Sequence, residues 1–331
     1  AQKVIFFYIK YYFTLYTTRW LKMKKNKIYI IGDTHIGCTF DSLYTNRDDH
    51  NIQERSWDLV FQFENICNYI IKKNDSVLIV IAGDFFESNY INSTILTYLH
   101  KKVFTKLRRK KVGVIIIGGN HDSPSDLNHG CHLNEFDHNL EENCIVLRDF
   151  SVLNSTISTN IGFFGPENIL DDDDKINNWF KKNVIDILKK YRVGFGFLPY
   201  QSKNGILTNY VRQIMDVNTF KTADDFTIRH AQSFIKKHIM PNIINYIENC
   251  DNKVLIGHFR LSGSKIRSYL PPSFSTHEVS FTKDMIFSNV FDLVAFGHIH
   301  IPQTMLGLNN IPHTEKKKKK NFGEIEDNKS F

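Results

Sequence analysis

No two cysteines in this chain stand as a CxxC pair; Cys38, Cys67, Cys131, Cys144 and Cys250 are scattered. That spacing gives neither a zinc knuckle nor a disulfide frame, and it suits free thiols in a reducing, intracellular compartment. Long apolar runs are also missing. The aromatic start "AQKVIFFYIKYYFTLYTTRWLK" is interrupted by Lys3, Lys10 and Arg19, and no other segment is apolar enough to span a bilayer, so no membrane association is expected. Acids are absent from the first 32 residues, which carry seven bases. With those set aside, 35 basic residues face 35 acidic ones, so the net charge of +7 belongs to the leader. Bulk charge is therefore no argument that the main domain binds nucleic acid. The leader has no serine and little arginine, unlike most transit peptides. Residues 1–26 read as a basic aromatic extension ahead of the true domain, with Met23 an alternative start and organellar targeting the competing reading.

What is present describes a folded globular chain. Hydrophobic residues make up 42% and charged ones 23% of 331 residues, enough for a sizeable core in one large domain or two small ones. Short β-branched runs recur at 27–31, 77–82, 112–117, 144–147, 192–198, 254–256 and 292–296. Unbroken apolar runs of this length suit strands buried on both faces. Helical patterns lie between them, near 52–73, 91–110, 175–190 and 222–249. The alternation predicts an α/β fold around a sheet of parallel or mixed strands. "DDDD" at 171–174 reads as a solvated loop before a helix starting near Lys175, and the lysine run 316–320 opens a tail that reads as disordered.

Five strands end alike. The turns are Gly32-Asp33-Thr34-His35, Gly83-Asp84, Gly118-Gly119-Asn120-His121-Asp122, Gly257-His258 and Gly297-His298-Ile299-His300. Glycine permits a sharp turn and close approach, and in open α/β sheets ligands gather at the carboxyl ends of strands. Each turn alone is a weak signal; Asp48-Asp49-His50 also places a histidine two residues after an aspartate, yet follows no strand. The information lies in the conjunction. It yields seven candidate metal ligands: Asp33, His35, Asp84, Asn120, His258, His298 and His300. Mixed oxygen and imidazole donors suit manganese, iron or zinc, and magnesium less well. Seven donors exceed one ion with an open position and fit two ions sharing a carboxylate, for which Asp84, alone on its turn, is the natural bridge. Two ions about 3.5–4 Å apart are a standard device for in-line attack on phosphorus by an activated hydroxide. His121 is then left to face the substrate as acid or transition-state stabiliser, with Asp122 orienting it.

In this order, "GDTH", "GD", "GGNHD", "GH" and "GHIH" resemble the calcineurin-like metallophosphoesterase superfamily. "GNHDSPS" (119–125), "FLPY" (197–200) and "GHIHIPQ" (297–303) are similar to its SbcD-type branch, which holds double-strand-break repair nuclease subunits and phage recombination counterparts. The resemblance covers residues 27–303. It implies a four-layer αββα sandwich, two manganese ions, and exo- or endonucleolytic hydrolysis of DNA phosphodiesters in repair or recombination. By position it assigns Asp33, His35, Asp84 and His300 to one ion, Asp84, Asn120, His258 and His298 to the other, and catalysis to His121. It also implies an SMC-like ATPase partner and a homodimer through the helices near 52–73 and 91–110. Two departures stand out. Many cellular members carry a histidine where this chain has Glu87, a position tied to exonuclease chemistry. The family's capping and ATPase-binding regions have no visible counterpart in the Lys-rich tail 306–331 that follows the nuclease domain 27–305. A phosphoesterase acting on a small nucleotide, and a truncated member without catalysis, are the competing readings.

Overall fold

Strands form where the apolar runs fall, because the runs are buried on both sides. The structure is a computed structural model and describes residues 3–6, 27–39, 52–122, 132–136, 141–157, 161–164, 169–172, 176–212, 226–264, 278–286, 289–300 and 304–306. Lys27–Ile31, Ser76–Ala82, Gly113–Ile117 and Cys144–Leu147 pair in that order as a parallel four-stranded sheet. A second sheet has eight strands. Leu293–Gly297, Asn252–His258 and Val193–Leu198 are its parallel centre, and Ser151–Asn154, Ile161–Phe164 and Ile169–Asp172 extend it antiparallel to one edge. On the other side Lys3–Phe6 joins parallel to Leu293–Gly297, followed by Thr304–Leu306. The rest of the leader and the lysine-rich tail beyond 306 lie outside the described residues.

Period-two alternation sorts the side chains into three cores. Leu78, Val80, Ile115 and Ile117 of the small sheet meet Phe195, Phe197, Val254, Ile256 and Ala295 of the large one in a core between the sheets. The residues between them, Ile79, Ile81, Val114 and Ile116, face outward against Glu54–Lys73 and the helical run 93–109. Leu255, Val294 and Phe296 face outward on the other side, under the helical runs 203–211 and 228–246. The order of layers is helix, sheet, sheet, helix: the αββα sandwich.

Local expectations were met unevenly. Asp171 and Asp172 lie in the edge strand Ile169–Asp172, not in a loop, and the following helix begins at Asn178, where the Asn177 side chain caps the Phe180 amide. Edge strands tolerate such charges, which also discourage pairing with another chain. The sequence pattern treated the strand ends as belonging to one sheet. In fact three of the five Gly-plus-ligand turns leave the small sheet and two leave the large one, so the site is assembled across the sandwich.

Candidate metal centre

The loops after the first two strands of the small sheet are sewn together. His35 N–H donates to the Asp84 carbonyl (2.9 Å), Ile36 N–H to Phe85 (3.0 Å), Glu87 N–H back to Ile36 (3.0 Å), and the Thr34 hydroxyl to Phe85 (2.7 Å). The backbone there is held in an unusual region. Asp33, His35, Asp84 and His298 all have positive φ (48°, 46°, 47° and 81°), the left-handed conformation that residues with a Cβ seldom adopt. Such outliers collect at functional sites, where the surroundings hold them in place. Two glycines are required by space. A Cβ on Gly83, itself at φ 85°, would lie 2.0 Å from His258 Nδ1, and one on Gly119 would lie 2.1 Å from Asp84 Oδ1.

The structure brings all seven candidate ligands together. Within each of two groups, Asp33–His35–Asp84–His300 and Asp84–His258–His298, one donor atom per residue lies within 4.8 Å of every other. Asn120 completes the second, with Oδ1 3.1 Å from His258 Nε2 and 2.8 Å from His298 Nδ1. Asp84 belongs to both.

The donor set fits cations because it is short of hydrogens. Asp33 Oδ1 accepts the His298 N–H (2.8 Å) and Asp84 Oδ1 the His121 N–H (2.9 Å). The other oxygen of each, Oδ2, is buried and receives no hydrogen bond. His258 Nδ1–H donates to the Ala82 carbonyl at 2.8 Å, so the neutral imidazole directs the lone pair of Nε2 at Asp84 Oδ2, 3.1 Å away. His298 Nε2–H donates to the Glu278 carboxylate at 2.9 Å, so Nδ1 turns its lone pair toward Asn120. His35 Nδ1 lies 2.7 Å from Glu87 Oε2, and its Nε2 faces His300 Nε2 at 3.1 Å and Asp84 Oδ2 at 3.6 Å. Lone pairs pointed at one another in a dry site repel unless a positive charge lies between them.

The electrostatics carry the same strain. Burial pushes the Asp33 carboxyl up to about 6 despite nearby His258. Burial also acts to raise Asp84, but His258 and His35 outweigh it and hold the group below the usual carboxylate range. His258 would be lowered by burial, yet Asp84 and Asp33 prevail and push it up to about 9. Burial and the neighbouring His35 bring His300 down to about 3.

His121 and Asp122 adjoin the seven, and Asp122 is placed otherwise than expected. Its buried carboxylate accepts backbone N–H groups from Phe85 (2.6 Å), Phe86 (3.2 Å) and Gly119 (2.7 Å), so it ties two site loops together and does not contact the His121 ring. His121 is instead oriented by Glu87, whose backbone carbonyl lies 3.1 Å from His121 Nδ1 and whose carboxylate lies 3.6 Å away. Glu278 is a site residue that sequence reasoning missed. It stands 20 residues before His298 with no neighbouring motif, and only the fold brings it to the imidazole. Tyr200, the last residue of "FLPY", stacks over His298 with centroids 6.2 Å apart, and its N–H donates to the Gly118 carbonyl.

A family model described as calcineurin-like phosphoesterase matches residues 26–302. Among curated proteins, the chain is 24% identical over 264 residues to a protein of Staphylococcus epidermidis described as the SbcD component of the nuclease SbcCD. The match takes in 79% of this chain and 56% of that protein, so the chain spans little more than half of the relative's length.

Proposed function

The chain belongs to the calcineurin-like phosphoesterase family, and from that premise we propose that it is a metal-dependent DNA nuclease of repair or recombination, with manganese as the working ion. The observation that carries the reading is the convergence of hydrogen-free acceptors on Asp84 Oδ2 from both sheets. Asp33, His35, Asp84 and His300 would hold one ion, and Asp84, Asn120, His258 and His298 the second. Bound there, divalent cations supply Lewis acidity, lowering the pKa of water and offsetting charge on the phosphoryl oxygens.

The side chains do the remaining work. Glu278 and the Ala82 carbonyl fix the tautomers of His298 and His258, so each presents a lone pair inward. His121, its side chain 36% exposed, gives Nδ1–H to the Glu87 carbonyl, and in its doubly protonated form its Nε2–H is the proton that passes to the leaving oxygen. Asp122 keeps the Phe85 and Gly119 turns in register. Tyr200 offers an aromatic surface beside His298.

DNA as substrate is supported by the likeness to a protein described as part of a nuclease and by the "GNHDSPS" and "FLPY" segments, the latter ending at the site. An ATPase partner of the SMC-like type and a homodimer belong to the same reading. Phe61 and Tyr69 of helix Glu54–Lys73 are 37% and 39% exposed, and Phe61 stacks on Trp57 and meets Tyr98 edge-on, an aromatic patch suited to a second copy. Light scattering of the purified chain checks the dimer. Among the described residues no helix is long and apolar enough to cross a membrane. Among the described residues, Cys67 and Cys250 are free thiols, in keeping with a reducing, intracellular setting.

The test is hydrolysis, with manganese, of linear DNA and of a small chromogenic diester. Cleavage of DNA supports the reading; turnover of the diester alone transfers it to a small-molecule phosphoesterase. His121→Ala is expected to lower kcat by roughly 100–10,000-fold while two ions still bind, as loss of a general acid does.

A further inference from the structure

Glu87 lies at the meeting point of two functional rings. Its N–H is anchored on the Ile36 carbonyl (3.0 Å), which holds the side chain over the site. One carboxylate oxygen lies 2.7 Å from His35 Nδ1 and the other 3.6 Å from His121 Nδ1. The His35 ring is wedged edge-on between His121 (4.8 Å, 87°) and His300 (4.8 Å, 77°). His35 is only 9% exposed, so its Nδ1–H needs an acceptor from the protein. Without one, the ring could turn or change tautomer and present the wrong nitrogen. The carboxylate receives the His35 imidazole, and the backbone carbonyl of the same residue receives the His121 Nδ1–H at 3.1 Å. A carboxamide has one acceptor, and an aspartate is shorter by a methylene.

We propose that Glu87 is a positioning residue that locks His35 and His121 in a single arrangement, its carboxylate setting a metal ligand and its backbone carbonyl the proton donor. The inference rests on the phosphoesterase reading of the site. It predicts separable effects. The carboxylate contact to His35 governs how well one ion is held, and the backbone contact to His121 survives a change of the side chain.

The experiment uses the full chain, freed of metal and titrated with manganese by calorimetry, with electron paramagnetic resonance to follow the coupled pair of ions. Glu87→Ala is expected to weaken one of two sites by about 10–100-fold, the usual effect of removing a carboxylate behind a ligating histidine. The other site should stay as it was, and kcat on a small diester should fall at limiting manganese and recover at saturating manganese. Glu87→Gln, nearly the same shape and with an acceptor for His35, should recover most of the affinity and with it the turnover, a rescue that a purely structural role would not produce. Thermal melts establish that each variant is folded, and Glu87→Gln decides the matter if Glu87→Ala does not fold. Wild-type affinities and kcat in Glu87→Ala would overturn the proposal. So would three ions in the wild type against two in the variant, because the donor atoms of His35, Glu87 and His121 lie within 4.8 Å and would then form a cation site of their own. If the wild type binds two ions but leaves DNA intact, the nuclease reading falls, and the affinities still judge Glu87.

Discussion

His258 Nε2 and Asp84 Oδ2 lie 3.1 Å apart, and the hydrogen of the imidazole is already committed on the far side of the ring, to the Ala82 carbonyl. A metal-free protein relieves the contact by keeping an extra proton, which is why His258 is pushed up to about 9 by Asp84 and Asp33 against the effect of burial. A metal ion replaces that proton. The sign follows: at pH 7 the free site is protonated, so metal uptake releases a proton and apparent affinity rises with pH. The rise should be about tenfold per pH unit for each proton displaced, levelling near pH 9. Calorimetry in two buffers of different ionisation enthalpy measures the release. Uptake with no proton release would place the ion away from this pair.

The shared carboxylate separates the two sites by mutation. Asp84→Ala should abolish tight binding of both ions, because Oδ2 faces both groups of ligands. His300→Ala and His298→Ala should each weaken one ion and leave the other measurable. Elemental analysis after dialysis against limiting manganese would report the stoichiometry. Two ions retained by Asp84→Ala would exclude it as a bridge.

Asp122 invites a different expectation. Its carboxylate, pushed up to about 6 by burial and by Asp84, holds three backbone amides from two loops. Asp122→Asn turns an NH2 group toward donors, and should cost about 1.5–3 kcal/mol of stability, the scale of a hydrogen bond to a charged group. The melting temperature should fall, with weaker metal binding as a consequence. Unchanged stability with lost turnover would return Asp122 to a role in the chemistry.

Much of this architecture is legible in the sequence because the strands are buried on both faces. Ile79 and Val80 point to different cores, yet both cores are apolar, so the run stays unbroken and conspicuous. The ligands are legible because each follows such a run at a glycine turn. Ser151–Asn154 and Ile169–Asp172 escape notice because they are short and carry polar residues, and Ile161–Phe164 because it is four residues long with a glycine inside it. Glu278 and Glu87 escape as histidine partners because a carboxylate behind a histidine has no fixed spacing along the chain. Asp122 misleads for the opposite reason: it is adjacent to His121 in sequence, but its partners are backbone amides that no side-chain pattern announces.

Away from the site, Glu64 offers a test of how the outer helices are held. Tyr98 donates its hydroxyl to Glu64 Oε2 and Lys106 Nζ reaches Oε1, both at 2.6 Å, linking Glu54–Lys73 to the helical run 93–109. Burial acts to raise the Glu64 carboxyl, but these two bonds prevail and lower it from its ordinary 4.5. A depressed carboxylate stabilises the fold above its unfolded pKa and loses that contribution as pH falls through the folded one. Lys106 is 42% exposed, so solvent screens its share of the interaction. Glu64→Gln should therefore cost about 1–2 kcal/mol at pH 7, mostly from bonds to a charged acceptor. The difference from wild type should shrink as pH falls below 4.5 and close once the wild-type carboxyl has taken up its proton, below its lowered folded pKa. Denaturant unfolding at pH 7, 4.5 and 3 measures this directly. A difference that does not change with pH would mean that Glu64 acts through its shape and not its charge.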